Sequence, residues 1–189
     1  SAAGLPASLQ VIERGWLSSN TIMFFEGAQA SIVDTGYVSQ SEQTLSLVKS
    51  ALATRRSAHR EPTPTRIINT HSHSDHIGGN AALQAEFGCR IVIPAGIERM
   101  VAEWDTEALL LDQAKQQGER FAHDAVIEAG SEFEMGGLVW QALAAPGHTH
   151  TTATAPTPEF DPNVYAIVVP YGTSDQLDRI TRTIDHALV

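Results

Sequence analysis

The sequence is poor in cysteine, in basic residues and in long apolar runs, and each shortage excludes a class of protein. The one cysteine, Cys89, excludes an intrachain disulfide, and its place before an apolar strand candidate predicts buried packing. Twelve Lys and Arg against 22 Asp and Glu give a net charge of −10, which argues against nucleic acids and membrane surfaces as partners. The longest near-apolar stretch, residues 164–169, is far shorter than the roughly 20 residues of a membrane span.

Length and composition indicate a single soluble globular domain. The chain has 189 residues, of which 42% are hydrophobic and 18% are charged, so we predict one domain over residues 1–189 with one sizeable core. A cytoplasmic location is the default expectation, although the chain begins without Met and an export signal could have been removed. The oligomeric state is not readable from the sequence, which contains no long apolar repeat that would indicate one.

Strand-like and helix-like patterns alternate along the chain. Strands are predicted over residues 9–13, 20–25, 30–34, 66–69, 91–93, 132–134 and 138–143, and helices over 41–55, 80–87, 94–101 and 106–117. Ser39 or Ser41 is the predicted cap of the first helix, and Gly88 is predicted to end the second. This alternation, with strand pairs towards either end, predicts a layered α/β fold.

Three histidines and one aspartate fall within six positions of the stretch INTHSHSDHIGG, residues 68–79. His71 and His73 are two positions apart, so both imidazoles project to one side of an extended segment. Asp75 and His76 follow where the chain is expected to turn into a helix. These residue types are ligands for zinc, iron or manganese, and two adjacent ions would use all four better than one tetrahedral ion. The alternative, a solvated histidine-rich loop, explains neither the Asp-His pair nor the two glycines that follow.

The stretch resembles the His-x-His-x-Asp-His signature of the metallo-β-lactamase superfamily. Three further features match in the expected order: a strand ending in Asp34-Thr35-Gly36, Thr70 before the first histidine, and Pro146-Gly147-His148-Thr149. The resemblance covers about residues 9–150. It implies an αβ/βα four-layer sandwich with a dinuclear metal centre at one edge.

The resemblance also implies a role for each candidate residue. The expected ligands are His71, His73 and His148 for the first ion, and Asp75 and His76 for the second. The expected ions are two Zn²⁺, with iron or manganese as alternatives, and a hydroxide between them would attack a small-molecule ester, thioester, lactone or lactam. Asp75 is also assigned as the catalytic residue. Asp34 and Thr70 would orient the ligand loop, although Asp34 could equally be a simple turn residue at the strand end.

The part of the chain after His148 departs from the family pattern. Only 41 residues follow, and they contain no Gly-Asp to supply the carboxylate that bridges the two ions in family members. Asp175 and His150 are candidate substitutes for the missing carboxylate and final histidine, but helix capping explains Asp175 and a polar loop explains His150. Residues 151–189 are therefore interpreted as an atypical tail of one strand and an amphipathic helix, which leaves the second half of the sandwich incomplete.

Several functions remain open from the sequence alone. The leading hypothesis is a metal-dependent hydrolase, and the alternative is a truncated or remodelled family member that binds metal weakly or not at all. A flavodiiron-type oxidoreductase is disfavoured because His73 stands where those proteins typically have Glu. A glyoxalase II is disfavoured because the chain is too short to hold the C-terminal glutathione-binding region of those enzymes. Candidate apolar contacts for a substrate, most of them expected in the core, are Trp16, Met23, Phe24 and Trp104.

Overall fold

A six-stranded sheet faces a three-stranded sheet in the computed structural model, which describes residues 6–56, 60–144 and 165–168. The strands of the first sheet, in spatial order, are β1 (Leu9–Ile12), β2 (Thr21–Glu26), β3 (Gln29–Val33), β4 (Thr63–Ile68), β5 (Arg90–Pro94) and β6 (Ala125–Ile127). Strands β1, β2 and β3 pair antiparallel, whereas β3, β4, β5 and β6 run parallel. Parallel neighbours require crossover connections, and here these connections carry the helices.

The helices follow the parallel strands and cover one face of the first sheet. They are α1 (Ser41–Thr54), α2 (Ser74–Ile77), α3 (Asn80–Phe87), α4 (Glu98–Glu103) and α5 (Leu111–Ala114), with 3-10 turns at Val38–Gln40 and Ala95–Ile97. Their apolar side chains form one core cluster with the strands, which includes Val48, Leu52, Ile77, Leu83, Val101 and Leu109. In the described part of the chain, none of the helices is long and apolar enough to cross a membrane.

The second sheet consists, among the described residues, of β7 (Glu132–Met135), β8 (Leu138–Ala144) and β9 (Tyr165–Val168), all antiparallel. A separate core cluster lies between the two sheets. At its centre Trp140 is fully buried and meets the ring of Phe24 edge-on, with 4.9 Å between ring centroids. The described residues thus supply a helix layer and two sheet layers of the predicted αβ/βα sandwich, whose α/β class is confirmed.

The parallel strands bring two distant sequence motifs to one edge of the sheet. Strand β3 pairs with β4 so that Val33 lies opposite Ile68, the last residue of each strand. Asp34 therefore leaves one strand next to the point where Asn69 and Thr70 leave the other. Such an edge, at the carboxyl ends of neighbouring parallel strands, is the usual place for a site in α/β folds.

Two local predictions are wrong. The cap of α1 is neither Ser39 nor Ser41, because a 3-10 turn precedes the helix and its N-cap, Gln40, makes no side-chain capping bond. The helix predicted over residues 106–117 is reduced to the four residues of α5. The side chain of Asp105 accepts hydrogen bonds from the backbone amides of Glu107 and Ala108, as an N-cap does. Leu110 then adopts a left-handed φ of 60°, which interrupts the helix. Strand β6 was not predicted at all.

Candidate metal centre

The histidine-rich motif lies directly after β4, where the chain turns into α2. His71 and His73 lie before the helix, whereas Asp75 and His76 lie in its first turn. The ring of His71 contacts both other histidines, with 4.5 Å between the centroids of His71 and His73 and 4.0 Å between those of His71 and His76. Nε2 of His76 is 3.4 Å from Oδ2 of Asp75. Four of the five predicted ligands therefore converge at the carboxyl edge of the sheet.

Asp34 holds this cluster from the neighbouring strand end. Its Oδ1 accepts a hydrogen bond from the backbone N–H of Thr70 at 2.9 Å, and its Oδ2 accepts one from the Thr70 hydroxyl at 2.7 Å. The same Oδ2 lies 2.7 Å from Nδ1 of His76. Asp34 is completely buried, so its carboxylate depends on these partners. It is more than a turn residue, since it ties the start of the motif to its end.

The carboxylate of Asp34 also shifts the pKa of His76. Burial lowers the pKa of this imidazole, but the charge and hydrogen bond of Asp34, together with the charge of Asp75, outweigh it and raise the pKa above its ordinary value. With Nδ1–H donating to Asp34, the nitrogen available to a ligand is Nε2, on the side of Asp75. A carboxylate behind a histidine in this way is the usual arrangement for a histidine that binds a metal.

A buried network of neutral side chains fixes the junction between α2 and α3. The hydroxyl of Thr35 donates to Oδ1 of Asn80 at 2.8 Å, and the amide of Asn80 donates to Oδ1 of Asn69 at 2.7 Å. Asn69 in turn donates to the backbone carbonyl of His76 at 3.2 Å. Neither Asn69 nor Asn80 was predicted, although they lie directly after β4 and directly after the glycine pair.

The glycine pair after the motif allows two backbone segments to come unusually close. A Cβ on Gly78 would lie 2.1 Å from the backbone nitrogen of Val38, and one on Gly79 would lie 2.6 Å from the carbonyl oxygen of Thr35. The N–H of Gly78 donates to the carbonyl of Gly36 at 2.7 Å. These contacts press α2, with Asp75 and His76, against the turn that follows Asp34.

The donor types and the carboxylate behind His76 fit a zinc-type ion, but the described residues form only part of a site. Within residues 6–56, 60–144 and 165–168, no three His, Cys, Asp or Glu side chains form an arrangement that could hold an ion alone. The predicted ligand His148 and the candidate substitutes Asp175 and His150 lie outside the described residues. The ligand assignments therefore stay predictions.

The loop between β1 and β2 borders the motif on one side. The N–H of Ser19 donates to the carbonyl of Asp75 at 2.9 Å, and the hydroxyl of Ser18 accepts a hydrogen bond from the N–H of Tyr37 at 3.1 Å. Three residues before Ser19, Trp16 is 88% exposed. The other candidate apolar contacts are packed: Met23 and Phe24 are buried, and Trp104 meets the ring of Phe121 edge-on.

Comparison with known proteins agrees with this architecture. The sequence model of the Metallo-beta-lactamase superfamily matches residues 14–154, about three quarters of the chain. The chain belongs to this superfamily. The match contains the Asp34 turn, the histidine motif and His148, so it includes all five predicted ligands.

The curated relatives of this superfamily member match it over about half of its length. A hydroxyacylglutathione hydrolase of Rhodopseudomonas palustris is 33% identical over 85 residues, which are 45% of this chain and 26% of that protein. A hydroxyacylglutathione hydrolase of Methylococcus capsulatus is 34% identical over 83 residues, 44% of this chain and 25% of that protein. The chain thus matches about a quarter of the length of these relatives.

Solved metallo-beta-lactamases share the fold at low sequence identity. A HARLDQ-motif mutant from Cronobacter sakazakii superposes with a TM-score of 0.64 at 20% identity, over 86% of this chain and 56% of that one. The native FEZ-1 enzyme of Legionella gormanii gives a TM-score of 0.61 at 12% identity, over 95% of this chain and 70% of that one. At such identities the likeness establishes the metallo-beta-lactamase fold alone.

Proposed function

We propose that this superfamily member is a metal-dependent hydrolase that binds two zinc ions and acts on an ester, thioester, lactone or lactam. The observation that carries the proposal is the convergence of His71, His73, Asp75 and His76 at one sheet edge, with Asp34 behind His76. A chain that needed only a polar turn would not require a buried carboxylate to hold it. The chemistry that zinc supplies when bound is a water activated near neutral pH and a polarised carbonyl.

The surrounding residues would keep the ligands in a fixed arrangement. Asp34 holds Nδ1 of His76, which leaves Nε2 for the ion, and it fixes Thr70 directly before His71. The hydroxyl of Thr70 lies 3.0 Å from Nδ1 of His71 and so helps to orient that ring. Asp75 is one third exposed, so its carboxylate is accessible both to an ion and to a proton released by the attacking water.

The names of the relatives favour a thioester among the four substrate classes. Those relatives are hydroxyacylglutathione hydrolases, and a hydroxyacylglutathione is a thioester. The matched segment includes about half of this chain but only about a quarter of each relative. The residues that would contact the rest of a substrate are therefore not covered by the match. We therefore propose a small-molecule acyl substrate, a thioester before an ester or lactone, without assigning its leaving group.

The first experiment is metal content per chain, measured by elemental analysis of protein purified without chelators. About two ions per chain would support the dinuclear proposal, with residues outside the described part completing the second site. One ion or none would favour the alternative, a remodelled family member without catalysis. The altered sequence of residues 151–189, which lacks a Gly-Asp, is the observation that keeps this alternative in view.

A histidine substitution then tests whether the motif is the site of hydrolysis. His73→Ala is expected to lower metal content and to abolish thioester hydrolysis, while the thermal unfolding midpoint of the metal-free protein changes little because this side chain is only half-buried. His123→Ala is the matched control, since His123 pairs with Glu98 at 3.6 Å and lies away from the motif. Full hydrolysis by the His73→Ala protein would refute the proposed site.

A further inference from the structure

Two hydrogen bonds join a segment far along the chain to the metal motif and to the turn after Asp34. The hydroxyl of Ser74, the first residue of α2, donates to Oε1 of Gln116. The backbone N–H of Gln117 donates to the hydroxyl of Tyr37 at 3.1 Å. We call these four residues the clasp. It joins residues 104–117 both to the helix that carries Asp75 and His76 and to the turn after Asp34.

The segment that reaches the clasp has an unfavourable backbone. Three residues without the freedom of glycine, Trp104, Leu110 and Lys115, have φ values of 56°, 60° and 53°. This left-handed backbone is unfavourable for such residues, and it persists only where surrounding contacts impose it. Leu109 and Leu111 supply such contacts in the core. After Lys115 the hydrogen bond of Gln116 is the next side-chain anchor.

Ser74 has a position through which this anchor can act on the ligands. It stands between His73 and Asp75 in the sequence and is only 1% exposed, so its hydroxyl has little access to water. The glycine contacts press the other end of α2 against residues 36–38. The four-residue helix is thus held at its end by Gly78 and at its start by the side chain of Gln116.

We propose that Gln116 is a positioning residue, which acts through Ser74 to hold Asp75 and His76 in the geometry that the second metal ion needs. The inference rests on the proposed function. Loss of the hydrogen bond frees the start of α2, so the carboxylate of Asp75 samples more orientations. Partners of this kind that orient metal ligands contribute about 10- to 100-fold to metal affinity.

The test is the zinc affinity of the full chain, measured by competition with a chromophoric chelator. Gln116→Ala is expected to weaken the more weakly held ion by about 10- to 100-fold. Gln116→Glu keeps an acceptor for the Ser74 hydroxyl and is expected to restore most of the affinity. Gln117→Ala is the matched control, because Gln117 takes part in the clasp through its backbone N–H and its side chain is exposed.

A double substitution separates this role from simple stabilisation. Ser74→Ala and Gln116→Ala are each expected to weaken zinc, and the double variant is expected to be no weaker than either one, because both remove the same bond. Unchanged zinc affinity in Gln116→Ala, with or without a lower unfolding temperature of the metal-free protein, would overturn the inference. Absence of zinc binding by the unaltered chain would instead overturn the proposed function itself.

Discussion

Nδ1 of His76 lies 2.7 Å from Oδ2 of Asp34, a residue 42 positions earlier in the sequence. Both side chains are buried, and the backbone of Asp34 has a φ of 54°. Asp and Asn are the residues that best tolerate this left-handed conformation after Gly, and Asp alone also supplies the charge that His76 faces. One residue therefore ends strand β3, turns the chain and orients a predicted metal ligand.

Two substitutions at this position separate its charge from its backbone role. Asp34→Asn keeps the left-handed backbone and an acceptor for Thr70 but removes the charge facing His76, so we expect a loss of about 1–3 kcal/mol in the free energy of unfolding. Asp34→Ala also loses both acceptors and the favourable backbone, so we expect about 3–5 kcal/mol. Denaturant unfolding of the metal-free proteins measures both. Equal losses would mean that the acceptors and the backbone of Asp34 add nothing to stability beyond its charge, whereas an unchanged Asp34→Asn protein would mean that the charge contributes nothing.

The contact between Gly78 and the turn at residues 36–38 gives a second prediction. Gly78 has a φ of −64°, which any residue adopts, so Gly78→Ala tests the clash of a Cβ 2.1 Å from the nitrogen of Val38 and nothing else. Because the opposing atoms are backbone, they cannot rotate away, and we expect a loss of about 3 kcal/mol. The readout is the midpoint of denaturant unfolding.

Gly15→Ala serves as the control for this substitution. A Cβ at Gly15 meets no atom within 4 Å, so its free energy of unfolding should change by less than about 0.5 kcal/mol. If the Gly78 and Gly15 variants were equally stable, the close approach of α2 to residues 36–38 would be wrong.

The edge of the sheet that carries the motif could be predicted from the sequence because its signals are local. Spacing of two between His71 and His73, a preceding apolar strand and a following glycine pair are all visible within residues 66–79. The strand ending in Asp34 is equally visible, and parallel pairing of β3 with β4 then brings the two together. The adjacency of the four motif side chains follows from these features, whereas their metal role stays a prediction.

The segment at residues 105–117 could not be predicted, because its conformation depends on contacts far along the chain. Its polar composition fits a helix, but the left-handed Leu110 and Lys115 interrupt the helical pattern. The bond from Gln116 to Ser74 joins residues 42 positions apart and leaves no periodic trace in the sequence. Asn69 and Asn80 escaped prediction for the same reason.

The buried thiol of Cys89 gives a third prediction. Burial raises the pKa of this thiol to about 11, and the residue is 3% exposed. At pH 8 only about one thiol in a thousand would be ionised, so the folded protein should resist a thiol-alkylating reagent. Mass spectrometry should find no label on the native chain and one label after unfolding in guanidinium. Rapid labelling of the native chain would contradict the buried position between α3 and β5.

Two tryptophans, Trp16 and Trp104, should behave oppositely when removed. Trp16 is almost fully exposed on the loop whose Ser19 touches Asp75, so Trp16→Ala should leave the unfolding temperature unchanged. If the ring contacts the substrate, KM for an aromatic thioester should rise about two- to tenfold with little change in kcat.

Trp104→Ala removes a half-buried ring packed on Phe121, so it should destabilise the fold by about 2–3 kcal/mol. Unfolding temperatures and steady-state kinetics, measured on both variants, test these two expectations. An unchanged KM in the Trp16 variant would show that the exposed ring serves no substrate contact.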